Sequence, residues 1–481
     1  MIETIGKVTR IYTDVSSISS ELIDVLKLFI RNGEFLECTD KTIADIVHEF
    51  HQNNNYYVNH IYFAGMELEN KFILPNNCSE IEFKRLLKRY AKLAVYQICV
   101  KIFGLHMPWG ALTGIRPTKL AWEYCQNGDD YKKIFSDFFD VSREKIDLVD
   151  KILTLQKPYR NTLPKEVDIY VGIPFCLTRC SYCSFTGGEI TKMQQYVKPY
   201  YDTLSKEIKA TLDIVKRGNY KIKNIYFGGG TPTALPLEYL EGIISLFDNL
   251  EKNEFTIEAG RPDTIMQRTF EVFKHHGVNR ISINPQTFSQ KILDNIGRRH
   301  TVEEVFEKYG QAKSMGFLIN MDFIAGLPYQ TFEDFRFDIS TVIGLAPDNV
   351  TIHTLALKKG TFLKENTKEV SADGGVKLMV DHAYSQLISA GYAPYYMYRQ
   401  KYMADNLENI GYCKSGKECV YNIDMMEETT NILACGSNSI SKRIFFDENR
   451  LERVGSQKDL LTYINGIDET IAKKEELFLN K

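Results

Sequence analysis

The sequence predicts an α/β protein built on a parallel sheet, and three observations carry that prediction. Between about residues 166 and 363, short β-rich runs alternate with polar-apolar stretches long enough for crossover helices. The unusual residues of that block, Gly228 to Thr231, Glu258, Gln286 and Asp322, sit at the ends of the β-rich runs. In open α/β sheets ligands gather at the carboxyl ends of the strands. On either side the rhythm changes, which marks two flanking domains.

Residues 1–160 mix strands and helices and are expected to form an N-terminal α+β domain of unassigned role. Within it NHIYFAG reads as a strand and SEIEFKRLLKRYAKLAVYQICVKIFG as an amphipathic helix. WGALTGIRPTKLAWEY follows with a Gly-Ile-Arg-Pro turn, and KPYRNTLPKE, with its two prolines, is the predicted linker. The core, 166–363, holds six strand candidates: VDIYVGI, NIYFGGG, FTIEA, RISIN, INMDFIAG and VTIHTLAL. Alternating strand and helix implies right-handed crossovers and a parallel sheet. Six units are too few for a closed eight-stranded barrel, so an open or partial barrel is expected. From residue 364 to 481 the pattern breaks into a C-terminal α+β extension. There HAYSQLISAG is helical, YAPYYMYRQKYMADN is dense in tyrosine, and ETTNILACGSNSISKRIFF reads as a glycine-broken loop feeding a strand.

Composition sets the class. With 481 residues, 44% hydrophobic and 25% charged, the chain is long enough for a full core without disulfides. A net charge of −3 does not point to nucleic acid. The basic run KRLLKRY (Lys84 to Tyr90) reads as the solvated face of a helix. No apolar run reaches membrane-span length, and the start has no apolar segment after a basic one. A cytoplasmic location is therefore expected, where thiols stay reduced. The ten cysteines are then free, metal-binding or catalytic.

Three of them carry the chemistry. In VGIPFCLTRCSYCSF, Cys176, Cys180 and Cys183 fit on one tight loop after a strand. Soft thiolates select zinc, copper(I) or iron–sulfur clusters. Structural zinc wants four closed ligands, normally as two pairs, and no second pair lies nearby. A cubane [4Fe–4S] cluster on three cysteines would leave one iron open to a ligand that is not protein. The looser Cys413, Cys419 and Cys435 raise the alternative of an auxiliary cluster, without a fourth ligand.

A Cys-x3-Cys-x2-Cys loop after a strand resembles the signature of the radical S-adenosylmethionine (SAM) superfamily. That resemblance implies a partial (β/α)6 TIM-like barrel, with SAM as the fourth ligand of a [4Fe–4S] cluster. GGGTP (Gly228 to Pro232), just after the second strand of the core, strengthens it. It narrows to the oxygen-independent coproporphyrinogen III oxidase family over about residues 168–440, and the whole chain looks most like that family's longer, HemZ branch. Carried over by position, Tyr170 and Tyr182 flank the cluster and SAM, and Gly229, Gly230 and Thr231 hold the methionine part. Glu258, Gln286, Arg298 and Asp322 match further SAM-contacting positions. Ala356 and Ile440 match positions facing a second SAM molecule. Each has a plainer alternative: Glu258 and Asp322 as buried carboxylates paired with a structural cation such as Arg298, and Gln286 as a core amide.

The resemblance implies oxidative decarboxylation of coproporphyrinogen III to protoporphyrinogen IX, fed by a low-potential electron donor such as flavodoxin or ferredoxin. A tetra-acidic tetrapyrrole calls for cations and apolar walls, and Arg116, Lys119, Arg399 and Lys401 are the candidates. Two positions depart from the family pattern. Phe185 stands where a fourth cysteine is usual, and Gly172 where a histidine is. The Cys-Ser-Tyr-Cys-Ser-Phe form resembles the haem-chaperone branch, and a third branch methylates its substrates. A haem-binding delivery protein and a radical methylase are therefore the alternatives.

Overall fold

The computed structural model describes the chain except residues 1–7, 31–32, 54–55, 75–77, 114–115, 162, 185–186, 357–374, 401–402, 404–405, 449 and 481. The chain divides into two compact units, Met1–Asp150 and Lys151–Lys481.

The first unit holds a five-stranded sheet in the order β2-β1-β3-β4-β5. Its strands are β1 (Val8–Thr13), β2 (Glu34–Glu37), β3 (Ile46–Asn53), β4 (Tyr56–Phe63) and β5 (Met66–Phe72). β1 runs parallel to β2 and β3, and β3-β4-β5 is an antiparallel meander. The predicted amphipathic helix forms as Glu80–Phe103 and packs on β4 and β5. Its ends explain its limits. Ser79 and Glu82 form a capping box, and Gly104, at φ 66°, supplies the left-handed stop.

The second unit is built on one eleven-stranded sheet. Six of its strands are the six read from the sequence: β6 (Glu166–Ile173), β9 (Lys221–Gly229), β10 (Glu254–Gly260), β11 (Arg280–Ile283), β12 (Leu318–Ala325) and β13 (Asn349–Thr354). They lie side by side in that order, all parallel. Two-residue strands β7 (Phe175–Cys176) and β8 (Gly188–Glu189) form a separate parallel ladder. The segment after residue 364 extends the main sheet at both ends. β14 (Ala393–Tyr398) and β15 (Asn409–Cys413) add antiparallel strands beside β13. β16 (Asn431–Cys435) pairs parallel with β6, followed by antiparallel β17 (Ile440–Phe445) and β18 (Arg450–Gly455). The C-terminal segment and the core thus share one sheet, which runs from β14 to β18 without closing. Among the described residues no helix is long and apolar enough to cross a membrane.

Side-chain parity along the six parallel strands builds the site. Val167, Ile169, Val171 and Ile173 of β6 are all 0% exposed, as are Ile225 and Phe227 of β9 and Phe255, Ile257 and Ala259 of β10. Burying each of the larger ones contributes about 1.5–3 kcal/mol. The alternate positions are polar or small: Tyr170, Tyr226, Thr256, Glu258, Arg280, Ser282, Asn320, Asp322, Thr351 and His353 line a common cavity. Apolar burial on one face therefore commits ten polar or aromatic side chains to the other.

Candidate functional site

The cavity has a volume of about 570 Å³ and brings the cysteine loop, the glycine motif and the strand-end residues together. Cys176, Cys180 and Cys183 all line it, as do Tyr170, Tyr182, Gly229, Gly230, Thr231, Glu258, Gln286, Arg298 and Asp322.

The cysteine loop leaves β6 at Pro174 and is fixed at several points. Cys176 pairs with Glu189 in the β7–β8 ladder. Thr178 Oγ1 donates to the Gly297 carbonyl at 2.9 Å, and the Ser181 amide to the Ile296 carbonyl at 3.0 Å. Arg261, itself paired with Asp263, donates to Thr178 Oγ1 at 2.5 Å. Arg298, 5% exposed, donates to the Asn284 carbonyl at 2.6 Å and to the Tyr182 hydroxyl at 3.3 Å. Arg298 is thus partnered by a carbonyl and a phenol, which leaves the cavity carboxylates to other groups.

The glycine motif presses against this loop. The Gly230 amide donates to the Ile173 carbonyl and the Thr231 amide to the Phe175 carbonyl, both at 2.7 Å. Thr231 Oγ1 lies 3.5 Å from Cys176 Sγ. A Cβ on Gly230 would stand 2.6 Å from the Phe175 carbonyl oxygen and 3.0 Å from Cys176 Sγ, so no larger residue fits without shifting the cysteine-loop backbone and crowding the thiol.

The strand-end residues form the opposite wall. Tyr226 donates to Glu258 Oε1 at 2.5 Å. Burial pushes Glu258 up to about 7, with the Tyr226 hydroxyl opposing and Asp322 adding to the rise. Burial also pushes Asp322 up, but His353, Asn320 and Thr351 together hold it below the usual carboxylate range. His353 Nε2 faces Asp322 at 3.7 Å, and His353 Nδ1 lies 3.0 Å from the Tyr398 hydroxyl. Two carboxyl groups in one cavity thus have opposite environments. Gln286 sits at φ 70° between β11 and β12, held by its amide to the Asp322 carbonyl at 3.0 Å and by the Ile324 amide to its own carbonyl at 3.1 Å. Gln286 Oε1 and Asn284 Oδ1 are buried acceptors without a partner. A buried orphan acceptor is costly unless a ligand donates to it.

These features fit the group that the cysteine spacing implies. The loop offers three thiols to one cavity, a glycine cradle leaves the sulfur its space, and the unpartnered acceptors belong to residues lining the same cavity. Among the described residues no three His, Cys, Asp or Glu side chains are arranged to hold one metal ion. A cubane does not require that, since it takes each thiolate on a different iron.

Several expected residues lie elsewhere. Ala356 bridges to Met403, and Ile440, 46% exposed, begins β17; neither lines the cavity. Arg116 and Lys119 belong to the first unit, whereas the cavity is lined by the second. Arg399 donates to the Asn406 carbonyl at 3.1 Å and to Asn406 Oδ1 at 2.9 Å, and is not among the residues lining the cavity. Lys401 and Phe185 lie outside the described residues. Of the looser cysteines, Cys413 and Cys419 share one buried apolar cluster, with Cys413 3.8 Å from Glu418, while Cys435 lies 3.2 Å from Thr211. At Gly172 the carbonyl accepts from Tyr200 at 2.5 Å, and an added Cβ would stand 3.2 Å from the Tyr170 ring.

Tyr226, His353, Arg280, Tyr395, Tyr396, Tyr398 and Tyr421 also line the cavity, without having been expected from sequence. The available signals were inward parity on strands already recognised and the tyrosine density of YAPYYMY.

Comparison with known proteins agrees with this geometry. A family described as the radical SAM superfamily matches residues 170–341. The oxygen-independent coproporphyrinogen-III oxidase-like protein HemZ of Bacillus subtilis (strain 168) is 36% identical over 430 residues, covering 86% of this chain and 86% of its own. The haem chaperone HemW of the same organism is 34% identical over 198 residues, which covers 40% of this chain and 51% of its own. Among solved structures, coproporphyrinogen III oxidase (HemN) from Escherichia coli superposes with a TM-score of 0.51 at 23% identity, covering 66% of this chain and 73% of that one, a likeness of fold. A [4Fe–4S] cluster and SAM are the cofactors of that superfamily. With its relative matched over most of both lengths, this chain belongs to the radical SAM superfamily and, within it, to the family of oxygen-independent coproporphyrinogen-III oxidase-like proteins.

Proposed function

We propose that the chain is a radical SAM oxidoreductase that converts coproporphyrinogen III to protoporphyrinogen IX without oxygen. One observation carries this: the three-cysteine loop, the glycine cradle and two differently tuned carboxyl groups share one cavity, in a chain whose relative over 86% of both lengths is named as oxidase-like.

Cys176, Cys180 and Cys183 would hold the cluster, and Gly229, Gly230, Thr231, Glu258, Gln286, Arg298 and Asp322 would receive SAM. When bound, these groups supply one-electron reductive cleavage of SAM and, with it, a carbon radical that abstracts hydrogen. Gly230, having no Cβ, leaves room beside Cys176. Arg298 holds Tyr182, and with it the loop between Cys180 and Cys183. Asp322, held ionised, is an acceptor for donor groups of the ligand. Tyr170, Tyr226, Tyr396, Tyr398 and Tyr421 give the wall aromatic surface that excludes water. Removal of a hydrogen atom from the β-carbon of a propionate, then loss of CO2 with transfer of the remaining electron to an external one-electron acceptor, would leave each vinyl group.

A second reading has its own support. Phe185 replaces a cysteine usual in the oxidases, and the haem chaperone HemW matches 40% of the chain. The deciding experiment is anaerobic incubation of the reconstituted protein with SAM, reductant and coproporphyrinogen III, followed by mass spectrometry. Loss of two CO2 per porphyrinogen with 5′-deoxyadenosine supports the oxidase. Tight haem binding with the porphyrinogen intact supports the carrier instead.

A further inference from the structure

Glu258 is held by a residue that no family resemblance brings forward. Tyr226 on β9 donates its phenolic hydroxyl to Glu258 Oε1 on β10 at 2.5 Å. The strands are parallel neighbours with Tyr226 opposite Thr256, so Glu258 reaches back one inward layer to meet the phenol. The contact is boxed in on its open side. A Cβ on Gly228 would lie 3.1 Å from both the Glu258 carboxyl and the Tyr226 ring. On the other side the Tyr226 ring stacks on Tyr421 at 4.3 Å and 17°.

Tyr421 comes from the C-terminal segment. It lies in the helix Val420–Glu427, whose Val420 and Tyr421 amides donate to the Glu254 carboxylate at 3.0 and 3.3 Å. Glu254 is paired in turn with Arg280 at 3.2 Å. Fixed contacts therefore run from Arg280 and Glu254 through Tyr421 and Tyr226 to Glu258.

The surroundings give this line a consequence. Glu258 is faced by Tyr170 of β6, Tyr226 of β9, Asp322 of β12, His353 of β13, Tyr398 of β14 and Tyr421. Of these neighbours, the Tyr226 hydroxyl opposes most strongly the rise that burial imposes. An ionised carboxylate accepts hydrogen bonds at all its lone pairs, whereas a protonated one gives up part of that capacity.

We propose that Tyr226 is a positioning residue of the cofactor wall, orienting the Glu258 carboxylate toward a donor group of SAM, and that Tyr421 holds Tyr226 in place. This rests on Glu258 being a SAM contact, and the experiment separates the two claims. SAM is titrated into the anaerobically reconstituted full chain at roughly pH 6 to 9, spanning the Glu258 transition. The proteins are wild type, Tyr226→Phe, Glu258→Gln, the double variant and Tyr421→Leu, with cluster absorbance and Tm followed in parallel.

Tyr226→Phe keeps the stacked ring and loses only the hydroxyl. SAM affinity at neutral pH should fall about tenfold, the scale of one hydrogen bond to a charged group. The pH at which affinity changes should move upward, because Glu258 then ionises later. Tyr421→Leu should move it in the same direction. In the Glu258→Gln background Tyr226→Phe should add nothing further. Unchanged affinity and pH profile in Tyr226→Phe overturns the proposal, as does a lower Tm with the profile unmoved. If Glu258→Gln itself binds SAM like wild type, Glu258 is not a SAM contact and the proposal falls with that assignment.

Discussion

Gly230 and Cys176 are packed so closely that a Cβ on the glycine would stand 3.0 Å from the thiol sulfur and 2.6 Å from the Phe175 carbonyl oxygen. The neighbours are backbone and a proposed cluster ligand, neither of which can turn aside as a flexible side chain could. Gly230→Ala should therefore fold but load poorly. Reconstituted iron and sulfide should fall well below the about four of each per chain that a cubane requires. Wild-type loading in this variant would show that Cys176 has room to move.

Arg298 links the cysteine loop to the end of β11 through Tyr182 and the Asn284 carbonyl. A lysine cannot span both acceptors with the fixed fork of a guanidinium. Arg298→Lys should cost about 1–3 kcal/mol in denaturant unfolding and hasten loss of cluster absorbance in air. Unchanged stability and cluster lifetime would mean that the loop is held by its other anchors.

Lys474 and Glu207 form an ion pair at 2.6 Å with side chains 1% and 0% exposed. Glu207 also accepts from the Gly436 amide at 2.7 Å and from Tyr463 at 2.5 Å, behind the end of β6. Removing one member of such a pair leaves a buried charge without a counter-ion. Lys474→Met should lose about 3–5 kcal/mol, and adding Glu207→Gln should recover part of it. Equal stability of the single and double variants would count against this coupling.

The recovered parts of the fold were those with local signatures. The six parallel strands were legible because β-branched and aromatic runs, such as those at Ile169 and Phe255, recur with helical spacers between them. The three-cysteine loop stood out by its spacing, whereas Gly230 was singled out by the family resemblance. What joins β16 to β6, or places Tyr421 against Tyr226, is pairing across some two hundred residues or more, which leaves no periodic mark in the chain. The charge of Arg399 is visible in sequence, whereas its hydrogen bonds to Asn406 are not.

Asp168 is 0% exposed and accepts from Asn224 at 2.9 Å, beside the Lys223–Asp424 pair. Burial, with Asp424 adding to it, pushes this carboxyl well above its usual range. A folded pKa above the unfolded one means stability present at low pH is lost as pH rises through the folded value. Asp168→Asn should remove that loss, so the variant's Tm should gain on wild type as the pH is raised from acid to alkaline. Parallel Tm curves would refute it.

The central claim is that Cys176, Cys180 and Cys183 hold a cluster with one iron left for SAM. It is tested most directly by electron paramagnetic resonance of the dithionite-reduced, reconstituted protein, recorded with and without SAM. The account predicts a reduced [4Fe–4S] signal that changes shape when SAM is added and is missing from Cys180→Ala. A signal indifferent to SAM, or one that survives in Cys180→Ala, would contradict it.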